Sequence, residues 1–400
     1  MQASMSTLEE AKERIAREVK QLHPRLVEIS HEIHAHPELE FQEHHAAGLL
    51  SGELEKNGFR VERGVANLET AFVAARGLGR PAVAFLAEYD ALAGLGHACG
   101  HNVIASWSLG AGLALSRALP DLQGTVKVIG TPAEEVLRGK VIMAEAGVFR
   151  GLDAAIMMHP RDTTLLDRGS LALNGYTIEF FGKPAHAASY PDKGISALDG
   201  VLQVFFGVNA LRQMLKPDAR IHGCITHGGD APNIIPKYAA AKFQLRAKEQ
   251  SYVEEIEERF LNIVKAAELA TGARSKVTKG SSCKARVCNR ALIELLRDNM
   301  TQLGIQYEAP PAEGAVGSSD IGDVSQLVPT AHPYMAICDK GIVGHTPEMA
   351  VAAASPRADE MIAAGATLLA WTGADVLLRS EVRERIRAAF MEQLGHPPQE

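Results

Sequence analysis

Residues 82–102, AVAFLAEYDALAGLGHACGHN, carry the strongest local evidence for the fold of this protein. The first six of these residues, Ala82 to Ala87, form an apolar run of strand length, typical of a strand buried on both faces of a parallel sheet. Acids, a thiol and imidazoles follow directly, from Glu88 to His101. Because open parallel sheets bind ligands outside the carboxyl ends of their strands, we expect the chemistry of this protein at that edge.

Two more apolar runs, Thr125 to Ile129 and Ala154 to Met158, are also predicted to be buried strands, and stretches of helical periodicity separate the three runs. This alternation predicts an α/β domain. At 400 residues the chain exceeds the roughly 250 to 300 residues at which single cores stop growing. We therefore expect two domains.

The pattern changes near Leu171, where predicted elements begin to follow the order β-α-β-β-α-β. They are a strand at 177–181, a helix at 195–215, strands at 220–226 and 238–247, a helix at 252–271 and a strand at 274–278. This order is that of a split βαβ, or ferredoxin-like, sandwich. The sequence thus predicts an inserted domain at 172–283 between two parts of a catalytic domain, 1–171 and 284–400. The second part should contain a buried strand at 334–337 and a closing helix capped by Ser355, with Pro356 at its first position, running to about Trp371.

Composition favours a small-molecule enzyme. The net charge of -7 argues against nucleic-acid and anionic-membrane partners, which clustered Lys and Arg would bind. The first twenty residues lack the apolar core of a signal peptide, and we see no stretch of the roughly 18 to 20 apolar residues that a bilayer span needs. Five cysteines, an odd number in a large chain, favour reduced thiols and a cytoplasmic location.

Metal-binding residue types recur at the ends of predicted strands and in one late loop. Glu134 and Glu135 follow the second strand, His159 follows the third, and His345 lies near the carboxyl end. Thiol, carboxylate and imidazole ligands together suit zinc, manganese or cobalt better than magnesium or calcium. One catalytic zinc takes about three protein ligands, so five candidates predict two divalent ions. The candidate ligands are Cys99, His101, Glu135, His159 and His345.

The motifs EYDAL, GHACGHN, GTPAEE, HP and HTPE, in this order, resemble those of peptidase family M20. The resemblance is strongest to its amidohydrolase branch, which includes indole-acetyl-amino-acid hydrolases, aminobenzoyl-glutamate hydrolase and a dipeptidase group. It implies a phosphorylase/hydrolase-like mixed sheet for the catalytic domain. It also implies that the five candidates bind two metals, that Glu134 is the general base and that Glu88 is an acid behind the metals.

The same resemblance makes the inserted domain both a lid and the interface of a homodimer. His186 lies in a loop, GKPAHAA, that is similar to one whose histidine reaches the active site of a neighbouring subunit. Asn233 and Arg246 match positions that hold the substrate carboxylate. Val136 to Lys140 replaces a common glycine run, and its Arg138 is a further candidate for contacting an anionic substrate.

The expected function is hydrolysis of an amide bond in a small N-acyl amino acid, dipeptide or aromatic amide. Glu134 would take a proton from a water between the metals. Two alternatives stay open: a hydrolytic deaminase of a small aromatic amine with the same metals, and a non-catalytic homologue that binds metal or ligand. A cysteine-nucleophile hydrolase using Cys99 with His101 would survive chelators, whereas the metal-dependent reaction would not.

Overall fold

The computed structural model describes residues 2–121, 123–166, 168–309 and 317–395. The chain forms two compact units, each with its own hydrophobic core. Unit 1 comprises residues 1–169 and 286–400, and unit 2 comprises residues 170–285. The predicted bounds of the inserted domain are 172–283.

The helices and strands follow one another along the chain as three blocks. The first part of unit 1 contains α1 (Gln2–Ala35), α2 (His44–Lys56), β1 (Arg60–Arg63), β2 (Phe72–Leu78), β3 (Ala82–Ala87), α3 (His101–Ala118), β4 (Gly124–Gly130), α4 (Gly139–Glu145), β5 (Ala154–Ile156) and β6 (His159–Arg161). Unit 2 contains β7 (Ala172–Phe181), α5 (Ala197–Arg212), β8 (Arg220–His227), β9 (Tyr238–Ala247), α6 (Gln250–Thr271) and β10 (Arg274–Cys283). The second part of unit 1 contains α7 (Arg290–Gln302), α8 (Ile321–Ser325), β11 (Thr330–Ala331), β12 (Tyr334–Ala336), α9 (Pro347–Ala352), α10 (Pro356–Leu378) and α11 (Ser380–Leu394).

Unit 1 is built on a mixed six-stranded sheet in the order β1-β2-β4-β3-β5-β11. Strands β4, β3, β5 and β11 run parallel to one another, whereas β2 is antiparallel to both of its neighbours, β1 and β4. Every residue of β3 is buried, and helix α3 packs on β3 and β4 with nearly all of its residues buried. The predicted α/β class and mixed sheet are therefore confirmed.

A separate two-stranded parallel sheet pairs β6 with β12 beyond the end of β5. In its register His159 lies opposite Tyr334. The run predicted as one strand through Met158 is thus shorter than expected, since β5 ends at Ile156. The chain pairs again only from His159 onward, and so this histidine lies just past the carboxyl end of the main sheet.

Unit 2 has the predicted order β-α-β-β-α-β and a four-stranded antiparallel sheet, β10-β7-β9-β8. Helices α5 and α6 pack against each other and on β7 and β9, and buried Phe180, Phe243 and Phe260 lie in this core. Strands β7 and β10 are longer than predicted and pair along almost their whole length, with one irregularity between Lys279 and Ser282.

Helix α10 corrects one sequence prediction. Over Pro356–Leu378 it is long and apolar enough to cross a membrane by length and composition, which the sequence analysis did not anticipate. Its apolar character comes from six alanines together with leucine, isoleucine, valine, methionine and tryptophan side chains. The helix is mostly buried inside unit 1, where it packs against α3 and α1. Its amino terminus is capped as predicted, with Ser355 Oγ accepting the Ala358 N–H at 3.3 Å.

Candidate metal centre

The segment between Asp90 and His101 folds back so that Cys99 and His101 flank a tight turn. Gly100 between them has φ +75°, and a Cβ there would meet the Pro160 ring at 2.5 Å. Only glycine permits this close approach. It brings Cys99 to the strand that begins at His159, with Sγ 3.4 Å from Nε2 of that imidazole. His101 then starts the buried helix α3.

The loop after β4 is strongly bent. Ala133 and Leu137 both have left-handed φ angles, 58° and 55°. The loop closes on itself, because the N–H groups of Arg138 and Gly139 both donate to the Ala133 carbonyl. A Cβ at Gly139 would lie 1.6 Å from the Pro132 oxygen, so this turn also needs glycine. We call residues 131–140 the glutamate loop, since it carries Glu134 and Glu135.

The five predicted ligands all lie in unit 1, and the structure brings them together. Three overlapping groups have ligand atoms within 4.8 Å of one another: Cys99 with His101 and His159, Cys99 with Glu135 and His345, and His101 with Glu134 and Glu135. His345 Nε2 lies 3.4 Å from Glu135 Oε2. His345 itself adopts φ 65° and is held by its N–H, which donates to the Ala98 carbonyl at 2.8 Å.

The donor set fits metal ions. Nε2 of His101 and Oε1 of Glu135 are buried, and within the described ranges neither has a hydrogen-bond partner. Buried polar atoms normally find partners, so two such atoms facing each other at 3.8 Å are suited to share a cation. Burial lowers the pKa of His159 to about 4, which leaves this imidazole neutral at pH 7 and able to bind a metal.

Asp90 orients two of these ligands by hydrogen bonds to His101 and Glu135. Its Oδ1 accepts the His101 Nδ1–H at 2.9 Å, and its Oδ2 accepts the Glu135 N–H at 2.9 Å. The first contact turns Nε2 of His101 toward the carboxylates, which is how a histidine ligand is usually fixed. Asp90 belongs to the EYDAL motif, two residues after Glu88, but no role was predicted for it from the sequence.

Glu88 and Glu134 are both buried beside the ligands. Glu88 Oε2 lies 3.5 Å and Glu134 Oε2 lies 3.9 Å from His101 Nε2. Burial, and then the charges of Glu88 and Asp320, hold the pKa of Glu134 well above its ordinary range. A carboxylate whose proton affinity is raised in this way is suited to accept a proton.

Three buried residues that support the glutamate loop were missed. Glu43 Oε1 accepts the Ala133 N–H at 2.8 Å, and its Oε2 accepts the Thr70 hydroxyl at 2.8 Å. Lys140 and Asp320 form a buried ion pair at 2.6 Å. These partners lie far apart in sequence, so no local pattern could have indicated them.

The remaining predicted residues are exposed or lie in unit 2. Arg138 is exposed on the glutamate loop. In unit 2, the loops of His186 and Asn233 are neighbours, because the Ala187 N–H donates to the Asn233 carbonyl at 3.0 Å. His186 is exposed, and its Nδ1 accepts the N–H groups of two following residues. Arg246 is half-buried on β9 and donates to Gln244 Oε1 at 2.8 Å.

Comparison with known proteins gives one consistent result. Residues 84–369 match the family described as peptidase family M20/M25/M40. The human Xaa-Arg dipeptidase is 36% identical over 97% of this chain and 94% of its own length, and the mouse protein is 35% identical with the same coverage. One of the subunits of p-aminobenzoyl-glutamate hydrolase from Escherichia coli is 35% identical over 70% of this chain and 63% of its own length.

Solved structures show the same fold. The YXEP protein of Bacillus subtilis, a dinuclear metal binding peptidase, matches with TM-score 0.69 and 22% identity over 90% of this chain and 99% of that one. The aminobenzoyl-glutamate utilization protein of Klebsiella pneumoniae matches with TM-score 0.68 and 21% identity over 91% of this chain and 98% of that one.

These matches confirm the predicted resemblance and, with it, the prediction of a metal-dependent hydrolase. The two Xaa-Arg dipeptidase matches extend over 97% of this chain, and the family match alone reaches into both parts of unit 1. This chain belongs to peptidase family M20/M25/M40.

Proposed function

We propose that this protein hydrolyses the amide bond of a dipeptide or N-acyl amino acid, with Glu134 as general base and two divalent transition-metal ions as cofactors. The observation that carries the proposal is the arrangement of Cys99 and Glu135. Each belongs to two of the overlapping ligand groups, so the set has donors for two neighbouring ions. A single ion with about three protein ligands would leave part of this set unused.

The ligands proposed for the two ions are Cys99, His101, Glu135, His159 and His345. Sulfur, nitrogen and oxygen donors in one set favour zinc, manganese or cobalt. When bound, the ions would lower the pKa of a water and polarise the substrate carbonyl. All further steps of the proposed reaction belong to residues of the chain.

Glu134 performs the proton transfers in this proposal. Its carboxylate takes a proton from the attacking water while the water oxygen bonds to the amide carbon. The carbon–nitrogen bond then breaks as Glu134 returns the proton to the leaving amine. The burial of Glu134 supports this role, since it keeps bulk water from competing for the proton.

The relatives guide the substrate class. The names Xaa-Arg dipeptidase and p-aminobenzoyl-glutamate hydrolase both describe an amide whose amine side is an α-amino acid. We propose a substrate of this kind for the present chain. Asn233 and Arg246 are the candidates for holding its carboxylate and His186 for stabilising the oxyanion, on the strength of the family resemblance.

We also propose, from the same resemblance, that unit 2 serves as a lid and as the interface of a homodimer. Light scattering of the purified protein would test the dimer, and a monomer at micromolar concentration would contradict it. A cytoplasmic location and a lack of membrane and nucleic-acid partners remain proposals from composition. Fractionation of the source cells would test the location.

The test of the proposed reaction is product analysis by mass spectrometry. Zinc- or manganese-loaded protein is incubated with dipeptides, including ones ending in arginine, with aminobenzoyl-glutamate, with N-acyl amino acids and with aromatic amines. We expect an amino acid product from at least one amide. Glu134→Gln, which keeps the shape and removes the base, should lose this activity, whereas Glu62→Gln on exposed β1 should keep it.

The outcomes separate the alternatives. Ammonia as the sole amine product would favour the deaminase, and two bound metals with no product from any substrate would favour the non-catalytic homologue. Normal turnover by metal-loaded Glu134→Gln would contradict the assigned base. Activity that persists after complete chelation would favour Cys99 as a nucleophile.

A further inference from the structure

A buried lysine lies directly behind the candidate base. Lys140 ends the glutamate loop, and its side chain is completely buried. Its Nζ lies 2.6 Å from Asp320 Oδ1 and 2.7 Å from Glu88 Oε1. Its backbone N–H also donates to Asp320 Oδ2 at 2.8 Å. The residue is thus attached to Asp320 twice, through its main chain and through its side chain.

The ammonium group lies among carboxylates that would otherwise repel one another. Oxygens of Glu88, Glu134 and Asp320 lie within 4.8 Å of each other, and all three residues are buried. Like charges this close destabilise the ionised forms unless a cation lies between them. Burial alone would lower the pKa of Lys140, but the charges of Asp320, Glu88 and Glu134 raise it, so the amine is protonated at neutral pH.

Lys140 also joins three segments of the chain that meet at the site. Glu88 follows β3, Asp320 precedes α8, and Lys140 itself fixes the carboxyl end of the glutamate loop. The other end of that loop is held by the Thr131 N–H, which donates to the Ala87 carbonyl at 2.8 Å. Through Glu88, whose second oxygen lies 3.5 Å from His101 Nε2, the connection reaches a candidate metal ligand.

We propose that Lys140 is a positioning residue for the reaction: paired with Asp320 and Glu88, it fixes the glutamate loop so that the Glu134 carboxylate is held where it accepts the proton. This inference rests on the proposed role of Glu134. In this proposal the buried ion pair contributes to catalysis and not only to the stability of unit 1. Removing the ion pair should therefore lower kcat and leave substrate affinity nearly unchanged.

Unit 1 contains a matched pair for comparison. Lys12 on α1 is also buried and lies 2.9 Å from Asp375 Oδ2 on α10. Its Nζ also donates to Asn299 Oδ1 at 2.7 Å. The two lysines therefore share burial, an aspartate partner and a hydrogen bond network, but Lys12 contacts helices α7 and α10 instead of the site. Removing the Lys140 ammonium breaks its ion pairs with Asp320 and Glu88, whereas Asp375 keeps a second ion pair with Arg379 at 3.2 Å when Lys12 is replaced. Both changes should lower the stability of the protein.

The experiment compares Lys140→Met with Lys12→Met in the zinc-loaded full chain. Methionine keeps most of the side-chain volume and removes the charge. We expect Lys140→Met to bind two metals and to lose about 100-fold in kcat, the size of effect that small misplacements of a catalytic group produce, with KM changed less than about threefold. Lys12→Met should unfold at a lower temperature and keep its kcat within about twofold.

A second readout does not depend on turnover. Backbone amides of residues 131–140 should exchange hydrogen faster in metal-loaded Lys140→Met than in the wild type, and at the wild-type rate in Lys12→Met. Adding Asp320→Asn to Lys140→Met should cause little further loss of kcat, because the pair acts as one unit. If Lys140→Met does not fold, Asp320→Asn alone takes its place, because asparagine keeps the shape of the aspartate side chain. This variant should also have a lower kcat and faster hydrogen exchange at residues 131–140.

The inference is overturned if Lys140→Met and Asp320→Asn both leave kcat and the hydrogen exchange of the glutamate loop unchanged. It is equally overturned if Lys12→Met lowers kcat as much as Lys140→Met does. It is also overturned if restoring full metal content restores full activity to Lys140→Met. A wild-type protein that cleaves no amide would instead refute the proposed function. The exchange measurement would still report on Lys140 in that case.

Discussion

Replacing Asp90 by asparagine tests how the metal centre is held together. The carboxylate accepts two hydrogen bonds of 2.9 Å, one from His101 Nδ1 and one from the Glu135 main chain. Asparagine offers only one acceptor oxygen, and its NH₂ group must face one of these two donors. At least one bond is therefore lost, and an N–H group is left facing a second donor in a buried site.

The magnitude follows from the type of bond that is lost. A hydrogen bond to a charged group contributes about 1.5 to 3 kcal/mol, which corresponds to a roughly 10- to 150-fold change in an equilibrium constant. His101 Nδ1 also lies 2.9 Å from the Asp90 carbonyl, and this contact survives the substitution. We therefore expect metal affinity to fall by an amount in the lower part of that range, about 10- to 50-fold.

The assay is competition for zinc against a chromogenic chelator, with metal-free Asp90→Asn and wild-type protein. Asp153→Asn is the matched control, because Asp153 Oδ2 accepts the Ala82 N–H at 2.8 Å at the opposite end of β3. That variant should be less stable and bind zinc normally. An affinity of Asp90→Asn for zinc within about threefold of the wild-type value, or an equal loss in both variants, would contradict the proposed role of Asp90.

Further predictions concern stability and substrate choice. Burial raises the pKa of Glu43 to about 7, above the unfolded value, so its contribution to stability is complete below about pH 4.5 and is lost as the pH rises to about 7. In the wild type this loss should lower the free energy of unfolding by about 3 kcal/mol between pH 5 and pH 8, and in Glu43→Gln this part of the decrease should be absent. Urea denaturation of the metal-free proteins measures both values, and the same pH dependence in the two proteins would contradict the prediction. Gly139→Ala should lower the free energy of unfolding by about 2 kcal/mol or more, because the new Cβ would collide with the Pro132 oxygen. The control Gly52→Ala, at an open position of α2, should raise it by about 0.5 to 1 kcal/mol in the same assay. Arg138→Ala should raise KM for acidic substrates more than for neutral ones if this exposed side chain contacts an anionic group; equal changes for both substrate classes would exclude that contact.

Much of the fold could be predicted because local periodicity and burial agree. Strands β3 and β9 begin and end as predicted. The apolar residues of β3 are contiguous, and those in the second half of β9 alternate with Lys242, Gln244 and Arg246, so both patterns are typical of strands. The first half of β7, with Asn174 and Gly175, and the second half of β10 were missed. Their residues are small or polar, and they become strands by pairing with each other. Helix α11 was also missed.

The candidate site could be predicted only in part, for a similar physical reason. Its ligand residues stand directly after strands or in motifs with recognisable spacing, and so the sequence already pointed to them. The supporting residues have no such signal. Lys140 was noted only as the end of the segment that replaces a common glycine run, and its partner Asp320 lies 180 residues away. Their contact exists only because α4 and α8 pack together in the folded chain.

The pairing of β7 with β10 also bears on how such a chain could have arisen. Leu173 lies opposite Cys283 in this pairing, so the chain enters and leaves unit 2 at adjacent points. Just outside these strands, Arg286 donates to the Gly169 carbonyl at 2.9 Å. The two cut ends of unit 1 would thus lie only a few ångströms apart if unit 2 were removed, and a short linker could close them at a small entropic cost. The gene for a single-domain ancestor could therefore have acquired unit 2 in one insertion, without rearranging the sheet that carries the metal ligands.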